Sequence, residues 1–134
     1  MFRRWFAPKS APLTGAPVVR RQKTYSAQSG YVYQYFYAGH RPYGRPEGGG
    51  MEHVFEVSPD RKKSLAVSVL LGDQAVGAWE TAHHRELNST ERYAIVKMAL
   101  FQAFDERPQP EMMKQEIHVR TADIEGILAS LDIE

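Results

Sequence analysis

Tyr31-Val32-Tyr33-Gln34-Tyr35-Phe36-Tyr37 is the stretch on which the fold turns. Side chains alternate across a β-strand. Tyr31, Tyr33, Tyr35 and Tyr37 therefore project to one face, and Val32, Gln34, Phe36 and Ala38 to the other. A row of four phenols is either an aromatic layer packed beneath a helix or an exposed platform on which planar ligands stack. Tyrosine suits both, because its ring packs well on a sheet while its hydroxyl can reach water. The sequence leaves the two burials of this strand open.

The strand also separates two chemistries. Residues 1–46 contain Arg3, Arg4, Lys9, Arg20, Arg21, Lys23, Arg41 and Arg45 and no acidic residue. The other nine basic groups and all 16 acidic groups lie from Glu47 onward, so a formal net charge of +1 hides a basic start and an acidic remainder. Such asymmetry implies an arm that meets a polyanion or an anionic membrane surface, or one that wraps its own acidic domain.

Upstream, residues 1–30 read as an extended or disordered basic arm. Met1-Phe-Arg-Arg-Trp-Phe6 is aromatic and basic, and Pro8, Pro12 and Pro17 exclude a continuous helix or a central strand. Val18-Val19 offers a short edge strand. The absence of an apolar core segment argues against a secretory signal. The acid-free, Arg- and Ser-containing start matches a mitochondrial transit peptide in composition, but the prolines oppose the helix such a peptide needs.

Downstream, residues 31–134 read as a single α+β domain. Gly39–Gly50 is expected to be a twelve-residue loop. Residues 52–58 alternate as a strand, Pro59 opens a turn, and Leu65, Val67, Val69 and Leu71 share a face of the next strand. With the tyrosine strand this makes a three-strand antiparallel meander. Val76, Trp79, His83 and Leu87 recur at helical spacing, so residues 74–87 are expected to be helix, with a fourth strand over 74–80 as the competing reading. Asn88-Ser-Thr-Glu91 is a helix start with capping-box chemistry. Tyr93, Val96, Leu100, Ala103 and Phe104 then form a stripe, widened by Ile95, Met98 and Phe101, that suits either a core or a subunit interface. Residues 115–120 alternate as a later strand. Thr121 is expected to cap a last helix with the stripe Ile124, Ile127, Leu128 and Leu131. The expected architecture is an antiparallel sheet, the meander plus the later strand, covered by two or three helices.

The same residues narrow the chemistry. The chain has no cysteine, which removes disulfides, thiolate nucleophiles and Cys-ligated metals. No apolar run approaches the length that spans a bilayer, and a cytoplasmic location is expected. Glu80, His83 and His84 are the nearest approach to a metal or catalytic group, but one Glu-x-x-His pair is half of a helical di-metal site, and adjacent histidines on a helix diverge. No motif marks a nucleophile or a phosphate loop, and no cofactor is expected. Single-stranded nucleic-acid binders combine a basic groove with stacking rings. Arg20, Arg21, Lys23, Tyr31, Tyr33, Tyr35, Tyr37, Arg41, Tyr43 and Arg45 supply that combination. The leading expectation is a non-catalytic module that contacts an acidic partner, nucleic acid first, through the arm and the tyrosine strand. The competing readings are a homo-oligomeric scaffold or adaptor, with Met98, Phe101, Met112 and Met113 at its interface, and a small enzyme or metalloprotein built on Glu80, His83 and His84.

Overall fold

The computed structural model describes residues 11–133. Five strands form one sheet in the order β1-β2-β3-β4-β5: β1 Lys23–Ser26, β2 Val32–Tyr43, β3 Gly50–Ser58, β4 Leu65–Gly72 and β5 Ile117–Val119. Three helices, α1 Asp73–His83, α2 Ser89–Glu106 and α3 Thr121–Ser130, complete an α+β architecture. No helix among the described residues is long and apolar enough to cross a membrane.

The tyrosine row lies in β2 and faces the core. Tyr35 pairs with Val57 and Tyr37 with Phe55, and Phe55 in turn pairs with Val67, so one face carries a continuous apolar layer. Against it α2 sets Ile95, Val96, Leu100 and Phe104, all fully buried. Tyr33 has no exposed surface and stacks on Phe104 with ring centroids 4.1 Å apart. Tyr35 meets Phe101 edge-on at 5.5 Å, and Tyr37 meets Tyr93 edge-on at 5.1 Å. Burying several rings of this size supplies much of the folding drive on that face. On the opposite face Val54 and Leu70 are also buried, while Phe36 is half-buried and Val32 is exposed.

Four expectations need correction. The sheet is mixed, because β5 runs parallel to β4, with Val69 opposite Ile117 and Leu71 opposite Val119. A parallel partner requires a long crossover, and α1, α2 and a 3-10 turn at Pro110–Lys114 provide it. Residues 23–26, assigned to the arm, instead form β1, while Val18 and Val19 remain exposed and outside any strand. The polar sequence Lys23-Thr-Tyr-Ser26 buries little but Tyr25, whose ring stacks on Phe101 at 4.2 Å and whose hydroxyl donates to Asp105 at 2.8 Å.

The twelve-residue loop is also shorter than read. β2 runs on to Tyr43 past a bulge between Tyr37 and Gly39, where Gly39 adopts φ +128°. Pro42 is tolerated because β1 has already ended and β2 is an edge beyond its bridge to Thr14. The last helix is capped at Arg120 rather than at Thr121, with the Arg120 backbone N–H donating to Asp123 at 2.9 Å. The helix expected over 74–87 forms as α1 but stops at His83, and the capping box at α2 is present, with the Asn88 side chain accepting from the Glu91 N–H at 2.8 Å.

Candidate functional site

Of the residues singled out for binding, Tyr33 and Tyr35 offer no face to a ligand, being buried beneath α2. Tyr31 and Tyr37 are half-buried at the two ends of the same row. Tyr37 shares a 2.8 Å hydrogen bond with His53, and burial pushes its hydroxyl far above the usual phenol range. Tyr43 is half-buried, with the Arg45 guanidinium 5.5 Å from its ring centre.

The arginines after the tyrosine row are paired within the chain. Arg41 donates to Glu52 at 3.0 Å, and Ser68 adds a second donor, which together hold the Glu52 carboxyl below its ordinary range against the cost of burial. Arg45 makes a two-pronged pair with Glu116, the geometry best suited to a guanidinium and a carboxylate. Here the basic half of the chain does fold onto its acidic half.

Arg20, Arg21 and Lys23 have no ion pair among the described residues. They lead into and along β1, which is an edge of the sheet. Across β2, the tight turn between β3 and β4 presents Arg61, Lys62 and Lys63, exposed and equally without ion pairs among the described residues. That turn is held by Asp60, whose carboxylate accepts the backbone N–H groups of Lys62 at 2.8 Å and Lys63 at 2.9 Å. These bonds keep the Asp60 carboxyl below its ordinary range and fix the two lysines on one side of the hairpin. Arg61 sits at φ +64°, a left-handed conformation that reverses the chain.

Between the two basic segments is an open cleft of about 560 Å³. Gln22, Thr24 and Gln34 line one side, Lys62 and Lys63 the other, and the Phe36 ring lies between. Arg20 stands over that ring, its guanidinium carbon 5.1 Å from the centroid. Arg20, Arg61, Lys62 and Lys63 therefore gather about one half-exposed ring, with Glu56 and Asp60 as the carboxylates on the same strand and turn, while Arg21 and Lys23 line a separate cleft beside Tyr35 and Tyr93. Sequence reading missed the second half of this cleft. Arg61-Lys62-Lys63 is legible as a basic run, but its place beside β1 depends on the register that sets Gln34 opposite Ser58.

The residues considered for metal or catalytic chemistry have other partners. Glu80 accepts the Leu87 backbone N–H at 2.8 Å and meets Arg92 at 3.4 Å. His83 stacks on Trp79 at 4.2 Å and bonds Glu125 at 2.9 Å, and His84 ends α1 in a left-handed conformation. Among the described residues, no three His, Asp or Glu side chains gather as a ligand set. Of the residues considered for an interface, Met113 is fully buried, Met98 and Phe101 are half-buried on the core, and Met112 is exposed. Compared with known proteins, the chain matches no protein-family model, no curated protein and no solved structure.

Proposed function

We propose that the protein is a non-catalytic module that binds an acidic partner, a single-stranded nucleic acid, along the cleft between β1 and the β3–β4 turn. The observation that carries this reading is the gathering of Arg20, Arg61, Lys62 and Lys63 around the Phe36 ring without ion-pair partners among the described residues. Cations left unpaired by the fold retain their full attraction for phosphate, whereas Arg41 and Arg45 would first have to leave Glu52 and Glu116. The stacking surface is therefore Phe36 on the outer face, in place of the tyrosine row on the inner one. Sequence tolerance is expected, since a single ring and long flexible side chains read charge and planarity rather than base edges.

Fluorescence anisotropy with labelled single-stranded DNA and RNA oligomers tests it. Replacing Arg61, Lys62 and Lys63 together by Gln should weaken binding uniformly across sequences. Phe36→Ala should weaken it by about fivefold to a hundredfold, the loss of one stacked base. An absence of binding at low salt, or affinities unchanged in both variants, would remove this reading.

A further inference from the structure

The tyrosine row ends in a cavity that the basic cleft does not share. At the bulge after Tyr37 the inner face of the sheet continues as His40, opposite His53, beyond the point where α2 covers it. A cleft of about 590 Å³ opens there, within the size range of small-molecule sites. Its apolar side is formed by Tyr37, His40, His53, Met51 and Tyr93. Its four rings stand in two close pairs, with Tyr37 and Tyr93 edge-on at 5.1 Å and His40 and His53 5.6 Å apart.

Its polar side is the first turn of α2, where Ser89, Thr90 and Arg92 line the opening. Arg92 uses Nε on the Leu87 carbonyl at 3.2 Å and Nη2 on Glu80 at 3.4 Å. Among the described residues no acceptor meets its Nη1, which leaves that nitrogen's two N–H donors for a ligand. No carboxylate is among the described residues lining the space. The positive field is felt by His53, whose pKa is pushed down to about 4 by burial, by His40 and by Arg92. An aromatic wall facing a cationic wall with spare donors matches a flat apolar ligand that carries one negative group.

We infer that this cavity is a binding site for a small aromatic carboxylate, its ring against Tyr93, His40 and Met51 and its carboxylate on Arg92 and the α2 first turn. The site is separate from the nucleic-acid reading, because none of the cations gathered at the basic cleft lines it. Titration calorimetry of the full chain with 1-naphthoate, and with the neutral 1-naphthamide, tests the assignment. Naphthoate should bind saturably, and the amide should bind about tenfold more weakly or worse, the loss of one charge-assisted hydrogen bond. Arg92→Gln should bring naphthoate to the level of the amide. Thr90→Trp, an exposed substitution that fills the mouth, should abolish binding of both, and a melting temperature near that of the parent would verify its fold. Arg61, Lys62 and Lys63 replaced by Gln should leave naphthoate binding unchanged. No saturable heat at millimolar naphthoate, or an affinity that neither Arg92→Gln nor Thr90→Trp alters, would overturn the assignment.

Discussion

Tyr33→Phe should make the protein more stable. The Tyr33 ring is fully buried and stacked on Phe104, yet its hydroxyl is buried without a hydrogen-bond partner among the described residues. An unpaired buried hydroxyl costs roughly 1–3 kcal/mol by mutational measures, and Phe keeps the ring and the stack. The expected gain is about 1–2 kcal/mol, which for a chain of this length is a rise of about 3–7 °C in melting temperature. Tyr25→Phe is the matched control, since that hydroxyl donates to Asp105 at 2.8 Å and its removal should cost about 1–2 kcal/mol. Tyr33→Ala should cost about 4 kcal/mol, as large-to-small core substitutions do. Urea unfolding followed by circular dichroism reads all three. The reasoning fails if Tyr33→Phe loses stability, or if Tyr33→Ala changes it by less than about 0.5 kcal/mol, the range of an exposed position.

Other substitutions probe separate parts of the fold. His53 is buried, and its pKa is held at about 4, below an unfolded value near 6.5. The unfolded chain then binds the extra proton between these values, so stability is complete above about pH 6.5 and falls by about 3 kcal/mol as the pH drops to 4. Thermal melts of the parent and His53→Gln across that window should show the slope only in the parent. Gly50→Ala should destabilise by several kcal/mol in a denaturant titration, because the added carbon would collide with the Leu71 carbonyl oxygen and come within 2.7 Å of the Gly72 Cα. Arg45→Ala, which breaks a half-exposed pair with Glu116, should leave the urea midpoint nearly unchanged.

Local patterning was readable where burial on one face imposed it. Phe55, Val57, Val67 and Val69 alternate because only one side of β3 and β4 meets α2, and Asn88 and Glu91 announce α2 because free helix N–H groups need acceptors. β1 escaped notice because an edge strand needs few apolar residues, and Tyr25 supplies its anchor alone. The direction of β5 lay beyond local pattern, since three alternating residues look the same in a parallel or an antiparallel pair. The choice between the two faces of the tyrosine strand was decided by long-range packing of Phe101 and Phe104, some seventy residues away. The partners of the acid-free first 46 residues were equally hidden: Arg41 and Arg45 look like Arg20 and Arg21 in sequence, and only the fold brings Glu52 and Glu116 to the first pair.

The tyrosine row is thus read as a structural feature, and the unpaired cations on the other side of the sheet as the binding element. The salt dependence of binding tests that division most directly. For a labelled single-stranded oligomer, contacts from Arg20, Arg61, Lys62 and Lys63 predict a slope of about −3 for log affinity against log salt. With Arg61, Lys62 and Lys63 replaced by Gln, the slope should fall to about −1. A slope near zero in the parent, or one that these substitutions leave unchanged, would contradict the account.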